Sequence, residues 1–198
     1  SKAAQAVAAL SLLQRPRLCD QDLERWRLQQ GLPAWPAELN DDTNPFELGL
    51  APRVSLSKGC YVGQETLAKL ATYDGVKRQL RRWHCPGPAS LAPRLAAGTA
   101  LGGPSGERAG VITSSLHLAG TDQWIGLALV RRQALAEPQL WAVAAAASAA
   151  EAGAGEAAEG EAGSAAAGAA GDGVPLALQL SRPPAFVDPP VGAGGGGR

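Results

Sequence analysis

The 198-residue sequence contains no Met, only three Cys, and two each of His, Tyr and Phe. Cys19, Cys60 and Cys85 are too few for a disulfide framework, and no Cys-x-x-Cys occurs. His84 and His117 lie far apart, which argues against a structural zinc site or a self-contained iron–sulfur cluster. No uninterrupted apolar run reaches the about 18 residues of a membrane-spanning helix. Charged residues make up 18%, and the 18 basic side chains are balanced by 18 acidic ones. A net charge of zero gives no support to a chain dedicated to nucleic acid or to acidic substrates.

What is present suffices for one ordinary domain: 45% hydrophobic residues, five of them Trp, punctuated by 25 Gly and 15 Pro. The charge is unevenly placed. Up to Trp141 there are 16 basic and 12 acidic residues, and from Ala142 onward 2 and 6. From Ala142 to Gly173 the chain is almost wholly Ala, Gly and Glu, with recurring Gly that opposes helix and nothing large to dock one. That composition predicts an insertion at 142–173, and the Gly-rich 189–198 reads as a disordered tail. Residue 1 is Ser and nothing resembles a targeting leader, so the chain reads as a fragment of something longer.

Along the chain the period changes once. Val7, Leu10 and Leu13 predict a short amphipathic helix over Ala3–Leu13. Asp20 is expected to cap a second helix over Gln21–Gln30, closed by Gly31, with Leu23 and Trp26 on its apolar face and Cys19 packed beneath. A third helical run covers Gln64–Ala71. From Val76 onward, Val76–Trp83, Gly110–Ser114, Trp124–Val130 and Gln139–Val143 read as short strands between Gly/Pro turns, with Val174–Val187 as a closing strand. The expected class is α+β: helices and loops, then a small antiparallel β-barrel or sandwich.

The segment richest in chemistry is Ser57-Lys58-Gly59-Cys60-Tyr61-Val62-Gly63-Gln64-Glu65-Thr66. It reads as a Gly-bearing loop opening a helix. Lys58 and the helix N-terminus should favour the thiolate of Cys60, a candidate nucleophile. Tyr61 offers a flat face and a hydroxyl, and Gln64 both a donor and an acceptor. The competing reading makes Cys60 a small buried residue. A basic run, Lys77-Arg78-Gln79-Leu80-Arg81-Arg82, could touch RNA, but a solvated strand with Val76 and Leu80 turned inward explains it more simply. Arg131-Arg132 reads as a surface pair at a strand end. His117 falls in an expected turn, and the tryptophans read mostly as core filling, with Trp35 in a loop.

Lys58-Gly59-Cys60-Tyr61-x-Gly63-Gln64-Glu65 resembles the signature of YgfZ-type folate-binding proteins, relatives of the glycine-cleavage aminomethyltransferase (T-protein). The similarity extends to Trp26–Pro33, to Asn44–Leu50 and to the strands around Gly110–Ser114 and Gly126–Val130. It implies the C-terminal part of an aminomethyltransferase-like folate-binding fold: a partial middle domain at 1–75, the β-barrel at 76–141, and its last strand at 174–188. It further implies tetrahydrofolate as the ligand, with Arg27, Tyr61 and Gln64 shaping its pocket, Cys60 and Lys58 carrying any chemistry, and Glu47 holding a loop. No metal is expected on this chain alone. Iron–sulfur client or assembly proteins are the implied partners, with no membrane and no nucleic acid. Arg27-Leu28-Gln29 departs from the family's Arg-x-Glu. Ala71–Arg78 is similar to plastid-type members, which favours the chloroplast over the mitochondrion. Aminomethyl transfer to tetrahydrofolate and a tRNA-modification accessory role are the competing functions.

Overall fold

The computed structural model describes residues 2–12, 18–143 and 175–190. Six strands form a closed barrel: β1 (Arg78–Pro86), β2 (Ala100–Gly102), β3 (Arg108–Leu118), β4 (Gln123–Arg131), β5 (Gln139–Ala142) and β6 (Leu176–Ser181). Their order around the barrel is β1-β4-β3-β2-β5-β6, and every pair is antiparallel. The expected barrel is therefore observed. Its closing strand β6 pairs with both β5 and β1. Residues 144–173 of the expected insertion, and 191–198 of the tail, lie outside the described residues, whereas Ala142, placed at the start of that insertion, belongs to β5.

The β4 run Ile125-Gly126-Leu127-Ala128-Leu129-Val130 is apolar throughout because both its faces are covered. Trp124, Ala128 and Val130 point into the barrel with Trp83, Ile112, Leu140 and Leu178. Leu127 and Leu129 point outward and pack with Leu28, Leu48, Leu80 and Phe186. Trp83 lies across Gly126, its partner in the β1–β4 register, and donates its indole N–H to the Leu127 carbonyl at 3.0 Å. A Cβ at Gly126 would stand 2.4 Å from that ring and 2.1 Å from the Ser114 carbonyl oxygen.

An N-terminal layer covers the outer face. Helix α1 (Lys2–Leu12) precedes α2 (Asp20–Gln30), which closes at Gly31 in the left-handed region with φ 68°. The Gly31 and Leu32 amides donate to the Leu28 and Arg27 carbonyls, so the expected stop signal is present. The cap at the other end is Cys19, not Asp20. The Asp22 carboxylate accepts from both the Cys19 amide and its thiol at 3.1 Å. Cys19 is exposed, not packed beneath the helix, and Leu23 and Trp26 also face outward, at 50% and 56% exposure. Leu28 is the α2 residue that packs on the barrel.

Arginines fasten this layer to β1. Val76 and Leu80 are buried as expected, but the arginines of this run are not a solvated fringe. Arg78 binds Glu47 at 2.9 Å, and Arg82 donates to the Gln29 carbonyl. Arg81 is buried over the Phe186 ring, and that burial, reinforced by Arg182, holds its pKa below the usual arginine value. Phe186 sits directly on Gly49, where φ is 74° and any Cβ would fall 2.4 Å from the ring. The Val187 amide donates to the Gly49 carbonyl at 3.1 Å, so the segment after β6 straps the layer down.

Two further expectations are corrected. His117 belongs to β3, not to a turn, and its ring lies tilted against Trp124, with centroids 4.9 Å apart. Trp83 and Trp124 fill the core, whereas Trp26 and Trp35 are exposed, the latter at 80%.

Candidate functional site

The motif loop is built by local hydrogen bonds. The Lys58 amide donates to the Ser55 hydroxyl at 3.2 Å, and the Tyr61 hydroxyl to the Ser55 carbonyl at 2.9 Å. Gln64 opens α3 (Gln64–Thr72), and its side-chain amide donates to the Leu56 and Lys58 carbonyls, each at 3.0 Å. Gly63 precedes the helix at φ 86°, a backbone conformation in which an L side chain is strained. Beneath the loop, Leu56, Leu67 and Leu70 pack against Phe46, Ala71 and Val76.

These bonds leave Cys60 and Lys58 exposed at the apex. The Lys58 ammonium stands 5.8 Å from the Tyr61 ring centroid. The sequence alternative of a buried Cys60 is thereby overturned. Cys85 is the buried cysteine, with its thiol pKa pushed up by burial, and its neighbour His84 points the other way.

Arg27 belongs to a different cluster. Its Nε and Nη2 grip the Glu24 carboxylate at 2.8 and 2.6 Å. Nη1 donates to the Leu32 carbonyl at 2.8 Å and to Glu38 at 3.1 Å, and Nη2 also donates to the Ser114 hydroxyl at 3.0 Å. All five guanidinium N–H groups are thus spent inside the chain. The Glu24 hydrogen bond outweighs burial and raises the Arg27 pKa, and it lowers that of Glu24. Glu38 is fully buried and is completed by the Ser114 hydroxyl at 2.6 Å and the Ala34 amide at 3.0 Å. None of these bonds reaches the motif loop. The structure groups Lys58, Cys60, Tyr61 and Gln64, and it sets Arg27 apart from them.

Glu38 and Ser114 were not singled out by sequence, and their pairing depends on a β-bulge. Ile112 opposes Ala128 while Ser114 opposes Leu127, leaving Thr113 as the extra residue. Strict alternation from the inward Ile112 would turn Ser114 into the barrel. The bulge turns it outward onto Arg27 and Glu38 instead. Glu47 holds its loop as expected, accepting from the Asn44 amide at 3.2 Å and from Arg78. Among the described residues no three His, Cys, Asp or Glu side chains gather as a metal site, and no helix is long and apolar enough to cross a membrane.

No family model matches the chain. A chloroplastic protein of Arabidopsis thaliana named as a putative transferase is 35% identical over 111 residues, which are 56% of this chain and 24% of that protein. Mitochondrial dimethylglycine dehydrogenase of Mus musculus is 41% identical over 59 residues, 29% of this chain and 7% of the enzyme. The chain therefore spans about a quarter or less of these relatives. The glycine cleavage system aminomethyltransferase T of Bartonella henselae superposes with a TM-score of 0.54 at 19% identity, covering 82% of this chain and 37% of that one. The barrel and its covering layer therefore have an aminomethyltransferase-like fold, matched over part of that enzyme.

Proposed function

We propose that this chain is the C-terminal portion of a plastid folate-binding protein of the YgfZ type, supporting assembly or repair of iron–sulfur proteins through the Cys60 thiol. The observation that carries the reading is the outward thiol on a loop whose other polar groups are already committed. Tyr61, Gln64 and the Lys58 amide all bond within the loop, so the fold spends its hydrogen bonds on presenting Cys60 to another molecule.

In this reading the motif loop is one wall of a larger cavity that takes tetrahydrofolate. Tyr61 keeps a half-exposed ring, and Trp35 exposes its indole nearby in sequence to the Glu38 cluster. Arg27 has no donor left for a ligand, so in this reading it is a positioning residue that holds Glu38 and the 32–38 loop. Residues 18–75 supply the wall, the barrel supports it, and the rest of the cavity belongs to polypeptide beyond this chain.

Replacing Cys60→Ser in the complete protein should abolish rescue of an iron–sulfur-defective strain while leaving folding unchanged. Full rescue by that variant would defeat the thiol role. A second reading, aminomethyl transfer to tetrahydrofolate, is favoured by the names of the Arabidopsis and Bartonella proteins. Turnover of an aminomethylated lipoyl carrier by the complete protein would establish it in place of the first.

A further inference from the structure

A separate charged site forms where the start of β1 meets the end of β4. Arg78 is the register partner of Arg131, and the Arg132 amide donates to the Lys77 carbonyl at 2.8 Å. Antiparallel pairing thus brings two dibasic stretches, unrelated in sequence position, onto one cleft of about 870 Å³. Glu47 and Asp74 complete its charged lining. Arg78 is neutralised by Glu47, and Arg132 by Asp74. Lys77 and Arg131 are exposed, and among the described residues neither side chain has a hydrogen bond or ion pair. The cleft therefore carries two uncompensated positive charges, beside two guanidiniums already locked by carboxylates.

We propose that this cleft binds a compact phosphate-bearing small molecule with at least two negative charges. Lys77 and Arg131 would pair with its oxygens, while the Arg78–Glu47 and Arg132–Asp74 pairs line the cleft without adding net charge. A nucleic-acid strand fits less well, because the basic surface does not continue. Arg81 is buried over Phe186, and the Arg82 side chain is turned onto the Gln29 carbonyl. None of the motif-loop residues lines this cleft, so the proposal stands independently of the role given to Cys60.

The test is calorimetric titration of the full chain with inorganic pyrophosphate at low ionic strength. Saturable one-to-one binding that weakens as salt rises is expected. Lys77→Ala and Arg131→Ala should each weaken it by about five- to tenfold, and the double variant by more, with the circular dichroism spectrum unchanged. Absence of binding at millimolar pyrophosphate would overturn the proposal, as would a double variant that binds like the parent. Tight binding of a single-stranded RNA oligonucleotide that pyrophosphate fails to displace would also overturn it, in favour of a nucleic-acid surface.

Discussion

Inside the barrel, Trp83, Ile112, Trp124, Ala128, Val130 and Leu178 share one apolar interior, and closure gives every strand two neighbours. Residues 18–75 are held differently. Their apolar contribution to the barrel's outer face is Leu28, Leu48 and Leu50, joined by Phe46 over Val76, and to backbone hydrogen bonds such as Leu80 to Glu47 they add charged attachments: Arg27–Glu38–Ser114, Arg78–Glu47, Arg82 to Gln29 and Arg132–Asp74. A hydrophobic interior tolerates changes of pH and salt, whereas a buried ion network is stable only while every partner is present. The barrel is accordingly a scaffold. The layer that carries the motif loop depends on a few polar contacts.

The sharpest way to break that contrast is at Glu38. Glu38→Ala leaves one Arg27 Nη1 N–H and the Ser114 hydroxyl proton without their acceptor in a buried site, and it should cost about 3–5 kcal/mol. Hydrogen exchange should report the loss in residues 24–38 well before the barrel strands. Uniform loosening of both regions would mean that they are one cooperative unit. Gly126→Ala probes the opposite region. The methyl group has no space between Trp83 and the Ser114 carbonyl, so barrel stability should fall by about 1–3 kcal/mol or more, read from chemical denaturation and the near-ultraviolet signal of the tryptophans.

The pH responses should also differ in sign. The hydrogen bond from Arg27 lowers the Glu24 pKa from its ordinary 4.5, so that stabilisation is present above the unfolded value and lost as pH falls through the folded one. Acid should therefore loosen the layer first, and the exposed Trp26 on the same helix offers a fluorescence readout. Burial raises the Cys85 thiol above its ordinary 9.0, so its contribution is intact below that value and declines as pH rises through the folded pKa. Alkali should weaken the barrel. An acid transition that appears in barrel strands before the layer would reverse the assignment. The smallest effect belongs to Cys60→Ser. An exposed thiol on an internally bonded loop should change stability by less than about 0.5 kcal/mol in thermal unfolding, which separates any functional loss from misfolding.

Much of the barrel was legible in advance because its strands announce themselves. Trp83 and Cys85 alternate with His84, and the β4 run is continuous because it is covered on both faces. Strand β2 was missed: Ala100–Gly102 is too short for a period, and its strand conformation comes from β3 and β5 on either side. The outward placement of Leu23 and Trp26 was equally illegible. Helical spacing identifies residues that share a face, but not which face meets a neighbour. At the site, the motif loop was readable from Gly63 and the helix it opens, while the engagement of Arg27 was not, since its partners lie up to 87 positions away.

Local rules of backbone and composition settled the closing of α2 at Gly31, the turn into α3, the strand runs and the abrupt change of composition after Trp141. These depend on residues within a few positions of one another, and the order of residues states them directly. Folding in three dimensions decided which side of each element is covered, that the bulge at Thr113 turns Ser114 onto Glu38, and that Lys77 meets Arg132 across two strands. Such pairings join residues far apart along the chain. Their energies arise from desolvation and charge, which take definite values only once barrel closure has fixed what lies against what.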